Sequence, residues 1–372
     1  MWRRLMSLMR FEGPGSKPNP LKPRPVPAIS PLAETAFDPN PGNLRMFQYV
    51  PQELKAGSPL VVALHGCGQT AGGYDLGAGW CQLADQWGFA VLAPEQKAVN
   101  NPHTCFDWFN PEDITRGSGE AESVATMVKD MIETHRLDGS RVFITGLSAG
   151  GAMTSVMLAT YPELFAGGAI IAGLAFGAAQ NVRDALESMR SAPLRTPAEW
   201  GGLVRAASGH QGPWPKISIW HGALDTTVNI NNAQASVAQW ADLHGLSLPA
   251  ARQEFVDGAL RLYWDDRLEV YTLATLGHGT PIDSRDLGQP GPFILDAGIS
   301  SSRRIAAFWG LAPAQAQPVA RHARAEVESS ALAEIETVLI SEKSDEAAKV
   351  SVNVTIEGLI RRALRAAGLI RR

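Results

Sequence analysis

One stretch in the middle of the chain constrains the fold more than any other. Arg141-Val142-Phe143-Ile144-Thr145, a run with strand character, passes directly into Gly146-Leu147-Ser148-Ala149-Gly150-Gly151-Ala152-Met153, which opens a helix-forming segment. A serine at the apex of so sharp a strand-to-helix turn leaves no room for side chains two residues before or after it, and glycine stands at both places. The hydroxyl then projects alone above the strand ends. It also lies at a helix N-terminus, where free backbone amides and the helix dipole favour developing negative charge.

The same strand-then-helix order recurs along the sequence. Apolar, β-branched runs stand at Leu60–Leu64, Phe89–Leu92, Arg141–Thr145, Gly168–Ile171, Ile217–Trp220 and Leu268–Leu273, and helix-length segments at Glu120–Thr134 and Ala149–Thr160. Such alternation predicts an α/β fold with a mostly parallel sheet and helices on both of its faces. Residues 1–41 are crowded with proline and read as an extended leader, so the ordered domain is expected over 42–312. Within it, residues 177–215 lose the strand pattern and are expected to form a small insertion over the strand ends. Residues 313–372 read as a linker and charged tail, ending from Ile356 to Arg372 in a basic amphipathic helix. Near the start, Trp2, Leu5, Met6 and Met9 make a second apolar stripe. Either stripe suits packing on the domain or adsorption to an apolar surface.

Charge and cysteine usage exclude several classes. A formal net charge of −4 over 372 residues is wrong for a phosphate-backbone binder, so nucleic acid is not expected as a partner. No stretch approaches the roughly 18 apolar residues of a spanning helix. The basic start is interrupted before a signal-like apolar core forms, and Cys67, Cys81 and Cys105 are too few for a disulfide framework or a zinc site. Three reduced thiols in a cytoplasmic protein are therefore expected, with secretion as the alternative. No metal or other cofactor is called for.

A serine needs a base and an orienting acid, and the α/β-hydrolase fold supplies them downstream in the order Ser, Asp, His. Asp225 follows the buried run Ile217–Trp220, and His278, between Gly277 and Gly279, follows the last strand-like run. Asp257, Asp265 and Asp266 are alternative acids, but none follows a strand at the right place in that order. His221 is expected to shape the acid loop, and His244 falls on a helix. An oxyanion hole would draw one amide from Ala149 and a second from Cys67, in Leu60-Val61-Val62-Ala63-Leu64-His65-Gly66-Cys67-Gly68.

Several segments together give the chain a family resemblance. His65-Gly66-Cys67-Gly68-Gln69, Ala84-Asp85-Gln86-Trp87-Gly88-Phe89, Pro94-Glu95-Gln96, Cys105-Phe106-Asp107-Trp108-Phe109, Arg116–Ala121, the turn at Ser148 and Trp220–Asp225 are similar to the polyhydroxybutyrate depolymerase-like esterases, which include feruloyl and acetylxylan esterases. That resemblance spans roughly residues 40–312 and implies a cofactor-free ester hydrolase acting through an acyl-serine at Ser148. Polyhydroxybutyrate, an insoluble polymer, or its oligomers would be the substrate, with feruloyl or acetylxylan esters as the alternative. Trp108 and His65 become candidate substrate contacts, and Cys67 and Cys105, both in family-like segments, a candidate disulfide set against the three-thiol reading. A serine peptidase and a non-catalytic polymer-binding protein are weaker alternatives, since no propeller-sized domain is present and the serine, acid and base are all there.

Overall fold

The computed structural model describes residues 29–248 and 251–313. It opens with β1 (Ala33–Thr35), β2 (Arg45–Tyr49) and β3 (Leu60–Leu64), followed by α1 (Ala71–Ala78), α2 (Trp80–Trp87) and β4 (Ala90–Glu95). A single-turn helix, α3 (Pro111–Ile114), leads to α4 (Gly119–His135), β5 (Val142–Leu147), α5 (Ala149–Thr160) and β6 (Gly167–Ile171). Then come α6 (Val182–Arg190), α7 (Pro197–Ser208), β7 (Lys216–Gly222), α8 (Asn231–His244), β8 (Arg252–Val256), β9 (Ala259–Trp264) and β10 (Leu268–Leu273). The described chain closes with β11 (Thr280–Ile282), β12 (Ile294–Asp296) and α9 (Ser301–Phe308).

Ten strands form one sheet in the order β1-β2-β4-β3-β5-β6-β7-β10-β9-β8. Its centre, from β4 to β10, is parallel, and antiparallel strands edge it on both sides. The central strands are mostly apolar because helices cover both faces, with a few buried polar side chains such as Ser218 and Glu269. The two-residue side-chain period divides each strand between two cores: Leu60, Val62 and Leu64 pack with residues of α4, α5, α7 and α8, while Val61 and Ala63 pack with those of α1, α2 and α9. On the second face Trp220 stacks on Tyr271, its directly paired neighbour across β7 and β10, at 3.8 Å between ring centroids.

Two expectations about boundaries need correction. The leader does not last to residue 41: β1 pairs with β2, and the Ser30 hydroxyl donates to Asp75 at 2.6 Å. The nearby prolines, Pro31 and Pro39, flank β1 and none lies within it. Nor is 177–215 simply an insertion over the strand ends. Its second half is α7, the crossover helix between β6 and β7, started by a capping box of Thr196 and Glu199. Trp200 and Val204 of α7 are buried, and the Gln239 amide on α8 donates to the carbonyls of Phe176 and Trp200. Only α6 is additional. It is tied to the loop after β7 by Asn229 N–H to the Met189 carbonyl and to α8 by the Asn232 amide to the Ser188 carbonyl. The apolar stripes at Trp2–Met9 and 356–372 lie outside the described residues.

Candidate active site

Ser148 stands between β5 and α5 at φ 56° and ψ −116°, a backbone conformation that L-residues seldom take. Tight packing around the turn holds it there. A Cβ on Gly146 would fall 2.3 Å from the Gly150 carbonyl oxygen, and one on Gly150 would fall 2.5 Å from the carbonyl oxygens of both Leu64 and His65. The Ser148 N–H donates to the Ile171 carbonyl at 2.9 Å, so the neighbouring strand fixes the turn from the other side.

Parallel strands bring the partners to the same edge, because β5, β7 and β10 all end there. His278 Nε2 lies 2.9 Å from Ser148 Oγ, and His278 Nδ1 lies 2.7 Å from Asp225 Oδ2. Asp225 Oδ1 accepts from the N–H groups of Thr227 and Val228, each at 2.8 Å. His221 Nε2, which meets the Val228 carbonyl at 2.8 Å, also stands 3.4 Å from Asp225 Oδ2. Burial raises the Asp225 carboxyl, but hydrogen bonding to His221 and His278 outweighs it and holds the group well below the usual carboxylate range. Ionised Asp225 accepts a hydrogen bond from the Nδ1–H of His278, which leaves Nε2 facing the serine as an acceptor.

Cys67 follows β3 at this same edge, and Ala149 is the first residue of α5. Neither N–H donates to another protein atom among the described residues. The loop carrying Cys67 is pinned by a disulfide to Cys105 and by Gly68 N–H to the His103 carbonyl at 2.7 Å. This bridge corrects the expectation of three reduced thiols: only Cys81, which is buried, remains free. The sequence placed Cys67 and Cys105 far apart, and their meeting depends on two loops that turn toward each other at the strand ends.

His65 is not a substrate contact. It is fully buried, with Nδ1 2.8 Å from the Gly66 carbonyl and Nε2 accepting from Gln96 N–H at 3.1 Å, and its ring packs on Phe106. Burial pushes its pKa down, against the Gly66 carbonyl and the Glu95 charge, and the neutral ring braces the loop from beneath. Trp108 packs in the same core cluster as Ala149 and Met153 and is 7 % exposed, an edge only. Two further residues stand at the site: Phe293, which carried no sequence signal and whose ring meets that of His278 edge-on at 5.8 Å, and Gln69, which the family-like segment contains without a role and whose amide reaches the Pro292 carbonyl at 2.8 Å. Asp107, Asp113 and Glu120 bring carboxylate oxygens within 4.8 Å of one another. Gln96, Asn101, Asn110 and the Asp107 N–H already donate to them, and burial raises all three.

A parallel sheet with helices on both faces, a serine on a strained strand-to-helix turn and a histidine bridging it to a buried aspartate define an α/β-hydrolase of the serine type. Residues 47–254 match the family described as Esterase PHB depolymerase, and the chain belongs to that family. It is 45% identical over 285 residues to a poly(3-hydroxyalkanoate) depolymerase C of Paucimonas lemoignei, covering 74% of this chain and 69% of that protein. It is 36% identical over 269 residues to an acetylxylan esterase of Coprinopsis cinerea, covering 69% of this chain and 71% of the relative. Among solved structures, an acetyl xylan esterase from Aspergillus awamori superposes with a TM-score of 0.66 at 29% identity, covering 76% of this chain and 99% of that one.

Proposed function

We propose that this serine carboxylic-ester hydrolase works through an acyl intermediate on Ser148 and takes polyhydroxybutyrate or its oligomers as substrate. The observation that carries the assignment of roles is His278, which spans Ser148 Oγ at 2.9 Å and Asp225 Oδ2 at 2.7 Å. Ser148 Oγ attacks the ester carbonyl as His278 Nε2 takes its proton, and Asp225 stabilises the imidazolium that forms. The carbonyl oxygen, now an oxyanion, accepts from the N–H groups of Ala149 and Cys67. Collapse breaks the ester C–O bond, and His278 returns the proton to the departing alkoxide. Water, deprotonated by the same nitrogen, then releases the acid and restores the serine.

The polyester reading rests on the 45% identity to a poly(3-hydroxyalkanoate) depolymerase and on apolar side chains left exposed beside the catalytic loops, Leu224 at 57% and Phe293 at 46%. The similarity to acetylxylan esterases supports a second reading, a carbohydrate ester as substrate. We place the catalytic domain over about residues 29–313, the stretch that holds every group named above. No helix among the described residues is long and apolar enough to cross a membrane. The Cys67–Cys105 disulfide favours an oxidising compartment over the cytoplasm. Rates on hydroxybutyrate oligomers, acetylated xylan and feruloyl esters test the substrate. Ser148→Ala tests the mechanism: hydrolysis of p-nitrophenyl butyrate should vanish, and a folded variant turning over near the parental rate would overturn it.

A further inference from the structure

Gly291-Pro292-Phe293-Ile294 forms a tight turn, in which Ile294 N–H donates to the Gly291 carbonyl at 3.0 Å. Phe293 occupies its third position at φ 60°. Proline before a left-handed residue is the pattern of a type II turn, and that third position ordinarily takes glycine. A bulky aromatic there is strained, and the strain is not repaid by burial, since Phe293 is 46% exposed. Contacts on two sides nonetheless hold it. Thr280 N–H donates to the Phe293 carbonyl at 2.8 Å, fixing the turn to the strand that follows His278. From the other side, Gln69 Nε2 donates to the Pro292 carbonyl while its Oε1 accepts from Gly66 N–H, both at 2.8 Å. One amide therefore ties the loop that carries Cys67 to the turn that carries Phe293, and the Phe293 ring is set edge-on against His278 at 5.8 Å.

We propose that Phe293 is a specificity-determining residue for the alcohol half of the ester, and that Gln69 is the positioning residue that holds it beside the base. The proposal rests on the acyl-serine reading above. In that reading His278 Nε2 gives its proton to the departing alkoxide, so the leaving group must lie on the histidine side of the serine. The exposed apolar ring touching His278 is then the surface that the alcohol portion meets. The acyl portion stays on Ser148 and faces the other way. A phenyl wall favours long or aromatic alcohols by burying their apolar surface, and gives little to methyl esters, which do not reach it.

The test compares kcat/KM for butyrate esters of methanol, butanol and benzyl alcohol, and separately for p-nitrophenyl esters of increasing acyl length. Phe293→Ala should lower the benzyl-to-methyl ratio about tenfold, with the acyl-length profile unchanged. Phe293→Gly should do the same while relieving the left-handed backbone, so lost folding and lost contact are told apart by the thermal midpoint. Gln69→Ala should shift the ratio in the same direction by a smaller factor, and should add nothing in the Phe293→Ala background. An unchanged ratio in the folded Phe293→Gly protein, or a shift in acyl preference instead, overturns the role of Phe293. An undiminished effect of Gln69→Ala in the double variant overturns the role of Gln69. Hydrolysis that survives Ser148→Ala would overturn the acyl-serine reading itself, whereas a flat alcohol ratio in an enzyme that still depends on Ser148 overturns only this inference.

Discussion

At Ser148 the chain holds a left-handed, non-glycine residue in place by crowding, and the crowding predicts what substitution does. Gly150→Ala would place a methyl group 2.5 Å from two carbonyl oxygens, which the rigid strand ends have no room to relieve. A loss of about 3 kcal/mol is expected, together with most of the activity, and urea unfolding of the variant measures the first. Asp225→Asn, which removes the carboxylate that selects the histidine tautomer, should lower kcat about 10⁴-fold. The same residue carries a pH signature. Its carboxyl lies below the ordinary range in the folded protein, so the stability it contributes is fully present above about pH 4, the unfolded value. That stability is lost as pH falls through the lower folded value. Between pH 5 and pH 2 the parent should therefore lose stability more steeply than Asp225→Asn, and parallel curves would contradict the assignment. Ser148, Asp225 and His278 each follow a strand in an order that one fold imposes, and the structure brings their side chains within hydrogen-bonding distance. His65 was misread because its place in a family-like motif says nothing of which way its ring turns, and the ring turns inward. Phe293 went unnoticed and Gln69, though part of the family-like segment, had no role for a related reason: each matters only through a partner more than two hundred positions or one folded loop away.

At the scale of elements, strands buried on both faces announced themselves and the others did not. Expected boundaries for β3, β5, β6 and β10 fall within two residues of those observed, since a strand between two helical layers is mostly apolar. The edge strand β8 has most of its residues exposed, and the sequence reading passed over it, as it did β1, β2 and β9. The hairpin between β8 and β9 did carry a turn signal. Asp257 and Gly258 take φ 47° and 82°, the conformation for which an Asp-Gly pair is preferred in two-residue hairpin loops. Charge in the sheet obeys pairing instead of exclusion: Glu269 is buried in β10, accepting from Ser218 and from Arg261 on β9. Arg261→Ala leaves that carboxylate without its cation and should cost about 3–5 kcal/mol, seen as a lowered denaturation midpoint at neutral pH. The Cys67–Cys105 bridge closes a loop with a sequence separation of 38 and should contribute about 2–4 kcal/mol. Reduction is expected to lower the thermal midpoint and to slow turnover, because the same loop presents the Cys67 N–H. An unchanged rate after full reduction would mean that Gly68, Gln69 and their partners hold the loop unaided.

For the whole molecule, the division of labour between the described domain and the rest of the chain is open to a direct test. Every group assigned to the reaction lies between Cys67 and Phe293, on loops that leave the ends of β3, β5, β7 and β10 or precede β12. Chemistry on a small soluble ester is therefore expected to proceed without residues 314–372. An insoluble polyester sets a second requirement, since the enzyme must first settle on a surface, and adsorption raises the local substrate concentration without altering the barrier to acyl transfer. The spacing of Ile356, Leu359, Ile360, Ala363, Leu364 and Ala367 against Arg361, Arg362 and Arg365 suits a segment that buries an apolar stripe at an interface and keeps its guanidinium groups in water. Deleting residues 314–372 should therefore leave kcat/KM for p-nitrophenyl butyrate within about twofold, and weaken co-sedimentation with hydroxybutyrate granules. Equal granule binding by the two proteins would assign adsorption to the catalytic face itself, where Leu224 and Phe293 are exposed. Loss of soluble-ester turnover would instead mean that the tail supports the domain, because removing an adsorption device changes how often the enzyme meets a polymer and leaves its rate on a dissolved ester untouched.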